Sequence, residues 1–506
     1  MSMKKDKLAI TSITCNRPAL FSKSLSGIAE TLTSNEIDSE IIACDDSLDG
    51  YVKAQNKEIV KNIRQEHKVD IRYCGNEEKE RFIQALKVDA GNAKIADPLE
   101  FAFFGDKAFE FLKGPGANRN ASLLACVGRR FISFDDDTDL RFFSKQKTEG
   151  SLEISTKKPD LEFAAFAGWK QIEKVTTPFT EDALGWLNKV LGAAPSEIIS
   201  ECQQQGRPIV FEKKLDSVSQ ENAPVKVVMA GICGGRWYSR PFGIYFADGA
   251  LRKLMFRKKR DYEHTKCDPI AIMHAQRFIL SSHQLLISTA FGVDAREMVP
   301  PFIPHIRNED TIWGMLMKLC YRGSLTAHLP FAIYHDSSGK TPFQEEDFTR
   351  ATADTGLMTS LIIGDMGRRI NKVAPEKMLQ RLGNSLISFS CLSHGEWAAY
   401  LRSLWLMHVG TTCIELEKLL EKYKGKPSFW AKDAQEFMDT IRGQALESSS
   451  YIPREFLSYW SEKEAGVRYR DLLYKYGELL VAWPLIWESA QKLNAEGRGL
   501  SGGGTQ

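Results

Sequence analysis

The 506-residue chain has no Cys-x-x-Cys pair, no internal repeat, and no apolar run near the ~20 residues that a membrane-spanning helix needs. Each absence removes a class. Its ten cysteines (Cys15, Cys44, Cys74, Cys126, Cys202, Cys233, Cys267, Cys320, Cys391 and Cys413) are scattered singly, so neither a zinc ribbon nor a redox motif is indicated. Reduced, mostly buried thiols are expected. The longest apolar candidate, 479–487, contains Pro484 and is flanked by charge, so no transmembrane segment is expected. The opening MSMKKDKLAITSIT has lysines but too short an apolar stretch for a secretory signal. The expectation is a cytoplasmic protein, with peripheral membrane association left open. With 67 Lys and Arg against 65 Asp and Glu, the net charge of +2 points to no polyanionic partner, and no nucleic acid is expected.

What is there is ordinary globular material: 43% hydrophobic and 26% charged residues, long enough for a sizeable core and two or three domains. The first third alternates. Strands are expected at 8–14, 39–44, 69–74 and 130–134, and helices at 18–33, 55–66, 77–88 and 116–127. Such alternation predicts an α/β fold, a mainly parallel sheet with helices on both faces. Ligands of such sheets bind at the carboxyl ends of the strands. Three of the four ends carry polar chemistry: Thr14-Cys15-Asn16, Asp45-Asp46 and Asp135-Asp136-Asp137. Residues 75–113 read as an insertion of unassigned role, and 150–222 as irregular. A strand at 225–233 leads to Gly234-Gly235, a turn that would let the backbone approach a ligand. From about 341, helical periodicity takes over, at 397–424, 429–442 and 467–493, the last kinked at Pro484. The expected organisation is 1–340 as one α/β domain, with a nucleotide-binding half to about 140 and an acceptor half beyond it. An all-α domain follows at 341–495, then a disordered tail at 496–506.

Three adjacent aspartates after the apolar run Phe131-Ile132-Ser133-Phe134 repel unless a positive charge sits among them. Mg²⁺ and Mn²⁺ prefer carboxylate oxygens and leave positions open for phosphate oxygens. In Asp-x-Asp, alternate residues leaving a strand point the same way, so Asp135 and Asp137 could share one ion while Asp136 faces elsewhere. A solvated turn is the plain alternative.

The set ITSITCNRP (10–18), EIIACDDSLDG (40–50), GANRNASLLACVGRRFISFDDDTD (116–139) and RNEDTIWGMLMKLCYRGSLTAHLPFAIYH (307–335) resembles the GT-A glycosyltransferases, in particular the inverting family-2 type. The resemblance covers about residues 8–336; the C-terminal helices match nothing in it. It implies a metal-dependent hexosyltransferase that moves a sugar from a nucleotide diphosphate sugar, UDP-linked by preference, to a hydroxyl acceptor in glycan or glycoconjugate biosynthesis. That acceptor could be a glycan, a lipid-linked intermediate or a protein. Asp46 would hydrogen-bond the base, beside Asp45, with Thr14 and Asn16 lining the pocket and Arg119 near the nucleotide or paired with Asp137 or another carboxylate. Asp135 and Asp137 would hold Mn²⁺ or Mg²⁺ against the diphosphate, with Asp136 auxiliary and His335 as a further ligand. In Glu309-Asp310, the aspartate would be the base that takes the acceptor proton; a plain helix N-cap is its other reading. Independently of the resemblance, Trp237 and Tyr238 offer aromatic faces of the kind that stack on sugar rings.

Two departures bear on function. Cys15 stands where many relatives carry an aromatic residue, which leaves base identity open. The Gln-x-x-Arg-Trp motif of processive synthases is missing. The alternatives are a sugar-nucleotide nucleotidyltransferase, which would want a glycine-rich phosphate loop that Asn16-Arg17-Pro18 does not supply, and a non-catalytic GT-A scaffold. The helical domain would shape acceptor access, dock a partner or mediate homo-oligomers.

Overall fold

A computed structural model describes residues 7–500 apart from 92–94, 113, 146–149, 160, 212–222, 236–240, 250, 268, 284, 337–342, 345 and 350–352. Trp237 and Tyr238, the expected boundary near 340, and the last six residues of the expected tail lie outside the described residues.

The N-terminal alternation forms as the pattern dictates. Strand β1 (Leu8–Thr14) is buried along its whole length, and Pro18 opens helix α1 (Pro18–Ser34), where its missing N–H costs nothing. Strand β2 (Ser39–Asp45) follows, then helix α2 (Gly50–His67), which begins five residues earlier than its apolar period suggested because Asp49 caps it. Strand β3 (Asp70–Cys74), helices α3 (Asn76–Ala90), α4 (Ala96–Phe104) and α5 (Gly116–Ala125), and strand β4 (Arg130–Asp135) complete the first half. Strands β3, β2, β1 and β4 lie side by side in that order, all parallel. The chain steps from β1 outward to β2 on one side and later returns to β4 on the other. The switch point of the sheet therefore lies between the ends of β1 and β4, where open α/β sheets bind ligands.

Beyond β4 the sheet becomes mixed. Strand β5 (Thr138–Lys145) turns back to pair antiparallel with a late strand, and β6 (Val227–Gly235), β7 (Ala290–Asp294) and β8 (Thr326–His335) extend the sheet in the order β4-β7-β6-β8. β7 is antiparallel to both neighbours, and β6 is parallel to β8. The backbone at Gly234-Gly235 is strand, not turn. A Cβ on Gly234 would sit 2.1 Å from the carbonyl oxygen of His335, so what approaches this glycine is β8. The segment 150–222, expected to be irregular, contains strands Leu152–Ser155, Leu161–Phe166, Thr176–Pro178 and Ile209–Phe211 and helices Ala183–Val190 and Pro195–Gln204. Pieces this short carry too few repeats for a period to show.

Helix α6 (Glu309–Cys320) precedes β8, and the described residues beyond β8 are mainly helical, with α7 (Thr355–Arg368), α8 (Pro375–Ser390), α9 (His394–Lys422), α10 (Ser428–Gln444) and α11 (Glu462–Ala495). Helix α11 continues through Pro484. Its apolar side is fully committed: Tyr469, Leu472, Tyr476, Leu480 and Trp483 are buried. Trp483 Nε1 donates to the Val299 carbonyl at 2.6 Å, and Tyr476 Oη to that of Pro301 at 3.1 Å. On another side α11 packs on α3 and α4, with ion pairs from Lys492 to Asp89 and from Lys475 to Asp106. One buried cluster thus runs from β1 and β2 through α3–α6 into the C-terminal helices. The insertion is the layer between the sheet and α11. Residues 496–500 turn back on the end of α11 and bury Leu500. Among the described residues, no helix is long and apolar enough to cross a membrane.

Candidate functional site

The polar strand ends meet at the switch point, but each aspartate has a different environment. Asp45, the last residue of β2, is 1% exposed and saturated: it accepts from the Ser47 amide (2.7 Å), Asn56 Nδ2 (2.9 Å) and Tyr73 Oη (2.6 Å). It shapes the turn, and Asn16, in the left-handed region at φ 55°, donates its amide to Ser47 Oγ at 2.8 Å from the facing loop. Asp46 is partly exposed, and its carboxylate pairs with Lys79 of α3. Asn118 of α5 donates to the carbonyls of Thr14 (3.0 Å) and Cys44 (2.9 Å), tying the ends of β1 and β2 together.

Strand β4 stops at Asp135, and Asp136-Asp137 form the tight turn into β5. The period of two therefore ends at Asp135, and Asp136 is the residue brought beside Asp137. The two are bridged by Arg17, whose Nη2 lies 2.5 Å from Asp136 Oδ1 and Nη1 2.9 Å from Asp137 Oδ2. Thr14 Oγ1, expected in a base pocket, is buried and donates instead to Asp136 Oδ2 at 2.7 Å. Burial pushes the Asp136 carboxyl up to about 7 even against Arg17 and Thr14. Asp139 lies within β5 and pairs with Arg141 (2.9 Å) and Lys23 (3.8 Å).

Asp135 turns to Arg119. This arginine, 3% exposed, donates Nη2 to Asp135 Oδ1 at 2.9 Å and Nε to Glu309 Oε1 at 3.1 Å, with the rings of Phe291 and Phe302 against its guanidinium. Of the two pairings open to Arg119 in the sequence, the structure forms the one with another carboxylate, not Asp137. Glu309 and Asp310 open α6 after Asn308, which holds φ 64°. Asp310 accepts from the Thr311 amide (2.7 Å) and from Ser288 (amide 3.4 Å, hydroxyl 3.5 Å). Burial raises both carboxyls, Glu309 to about 7, with Asp310 adding repulsion and Arg119 opposing.

Four carboxyl groups, Asp135, Asp136, Asp137 and Glu309, thus pair with two guanidinium groups, and Asp310 lies within reach of the charge on Arg119. Next to them His335 holds Nδ1 3.2 Å from the Gly235 carbonyl and Nε2 3.4 Å from Asp137 Oδ2. A carbonyl only accepts, so Nδ1–H donates to it and Nε2 is the ring nitrogen turned toward Asp137, the arrangement in which a metal-ligating histidine is held. This is the observation that fits a divalent cation. No group of three or more His, Cys, Asp or Glu among the described residues is arranged to hold a metal, so protein ligation would come from the Asp137–His335 pair, with other oxygens completing it. Asp135, expected in the ligand set, is engaged by Arg119, as Asp137 is by Arg17 through the Oδ2 that faces His335.

The sequence reading missed Arg17, Asn118 and Lys79, and with them the partners Asn56, Tyr73 and Ser288. For Lys79 a signal was present, since it stands in phase with the buried Phe82, Ile83 and Leu86 on the apolar stripe of α3. The class that fold and site define is an α/β protein with a carboxylate-rich, arginine-bridged site at the switch point of its sheet. Compared with protein-family models and with curated proteins, the chain matches none.

Proposed function

We propose that this chain is a metal-dependent inverting glycosyltransferase of the GT-A kind, moving a sugar from a nucleotide diphosphate sugar, UDP-linked by preference, to a hydroxyl acceptor. The observation that carries the reading is Arg119. One buried guanidinium joins Asp135 of the acidic turn to Glu309 of the Glu-Asp pair, 190 residues further along the chain from Arg119. The two carboxylate motifs the resemblance assigns to donor and acceptor sides are therefore neighbours in space.

In this reading Asp46 accepts the ring N–H of uracil or guanine, with Asn16 beside it. Asp137 and His335 would hold Mn²⁺ or Mg²⁺, which supplies charge stabilisation for the departing diphosphate. The excess of carboxylates gives a physical reason for the cation, because a diphosphate approaching them alone is repelled. Arg17, 44% exposed in its side chain and resting on Asp136 and Asp137, is a second cation at the place the phosphates would occupy. On the acceptor side, Asp310 takes the proton of the attacking hydroxyl as it adds to the anomeric carbon from the face opposite the diphosphate, and configuration inverts. The Ser288 and Thr311 contacts keep Asp310 oriented, and together with the charge of Arg119 they oppose its protonation by burial.

The test is a thermal-shift panel of UDP-, GDP-, ADP- and CDP-linked sugars with and without Mn²⁺. A ligand at a hundredfold its Kd stabilises by about 2.7 kcal/mol, well within detection. Mn²⁺-dependent stabilisation selective for one base is expected; no response to any member of the panel refutes the reading.

A further inference from the structure

Lys79 lies in the first turn of α3, inside the insertion, and is 0% exposed. Lysine is almost never fully buried unless paired. Its ammonium has three protein acceptors: the Asp46 carboxylate, the Asp45 carbonyl at 3.2 Å and Asn118 Oδ1 at 3.1 Å. Three donors meet three acceptors, so the ammonium is complete and cannot swing to a ligand. Asn118 is the residue that ties the ends of β1 and β2, and Lys79 thereby joins that tie to the only one of these groups left partly exposed, Asp46, whose side chain is 21% exposed.

Helix α3 is itself braced from behind by α11, through the Lys492–Asp89 pair. A residue this expensive to bury at the floor of a surface carboxylate needs a reason. The groups facing Asp46 and Lys79 are Asp45 at the end of β2, Cys15 on the β1 loop, and the thiols Cys44 and Cys74 on β2 and β3. Lys79 is the one cation among them.

We infer that Lys79 is a positioning residue for base recognition: it fixes the Asp46 carboxylate in its ionised, accepting form, so that the site selects bases carrying a ring N–H. This rests on the nucleotide-sugar reading above and gives the insertion its role. Burial raises the Asp46 carboxyl on balance, and Lys79 is the charge that opposes it and limits the rise. An unopposed Asp46 carboxyl would take up a proton and present an O–H where the base also presents N–H.

The experiment measures binding of uridine and guanosine diphosphates, each against its analogue methylated at the ring N–H, between pH 5.5 and 8. Both members of a pair carry the same phosphates, so phosphate titration cancels in the ratio. The wild type is expected to prefer one parent nucleotide by about tenfold or more, flat across the range, as for a hydrogen bond to a charged acceptor. Lys79→Met, and Lys79→Gln should the first not fold, are expected to keep the preference at pH 8 and lose it at pH 5.5. Lys79→Arg restores the flat profile. A purely structural lysine weakens parent and methylated nucleotide alike at every pH, and that result overturns the inference, as does a wild-type preference that already collapses at pH 5.5. If the wild type binds no nucleoside diphosphate at all, the nucleotide-sugar reading falls and takes this inference with it. Binding with an unchanged profile in the variants removes Lys79 alone.

Discussion

Replacing Arg119 by methionine isolates its charge, since the methionine stem keeps most of the packing against Phe291 and Phe302. The buried guanidinium holds Glu309, itself buried, and Asp135, 21% exposed in its side chain; removing one partner of a buried pair costs about 3–5 kcal/mol because the other charge is stranded. The loss depends on pH. Glu309 already rises from 4.5 to about 7 with Arg119 in place. Without the arginine, Glu309 and Asp135 rise further, and the folded state holds protons that the unfolded chain releases above about pH 5. A raised folded-state carboxyl contributes stability that is present at low pH and is lost as pH climbs through the folded value. At pH 5.5 the stranded carboxyls are neutral and the penalty is about 1–2 kcal/mol; by pH 8 they are driven to ionise and it approaches the full 3–5. Urea denaturation of wild type and variant at both pH values reads this directly. Equal destabilisation at pH 5.5 and 8, or none at either, refutes the account of Arg119 as the counter-charge of the site.

Two other buried groups give predictions of opposite sign. Asp136, held at about 7 by burial, loses stability contribution as pH rises, so Asp136→Asn should gain on the wild type by about 3 kcal/mol between pH 5 and 8 in the same denaturation assay. His328 is 1% exposed with neither ring nitrogen hydrogen-bonded, and burial takes it down to about 3. Here the unfolded chain binds the extra proton below about pH 6.5, so wild-type stability falls on acidification. His328→Leu should therefore be more favourable at pH 5 than at pH 8 by about 2 kcal/mol; a pH-independent effect contradicts the buried neutral imidazole.

What the sequence made legible followed from hydrophobic pattern and turn chemistry. The runs 8–14, 39–45 and 130–135 end in polar residues because the strands end there, and parallel alternation then puts those ends on one edge. The partners of the aspartates were not legible, because they are set by tertiary distance. Arg17 looked like a helix preface before Pro18, yet it bridges Asp136 and Asp137 across 120 residues. Lys79 sits among charges in NEEKER and reads as solvated until its phase with Phe82 and Leu86 is noticed. Asp45 and Asp46 are equivalent as letters, whereas Tyr73 and Asn56 saturate one and Lys79 holds the other. The helical segment read as a separate unit because its period is self-contained; Trp483 and Tyr476 reaching the carbonyls of Val299 and Pro301 show how its core joins that of the sheet.

The most direct measurement of the central claim compares Asp137→Ala with Asp310→Ala for Mn²⁺-dependent binding of the donor that the panel selects, and for sugar transfer or donor hydrolysis. The account predicts that Asp137→Ala weakens metal-dependent donor binding by tenfold or more, about 1.4 kcal/mol, while Asp310→Ala binds donor as the wild type does and turns it over at least a hundredfold more slowly, the lower end of the range for a lost general base. Full turnover by Asp310→Ala, or donor binding by Asp137→Ala indistinguishable from wild type, contradicts it.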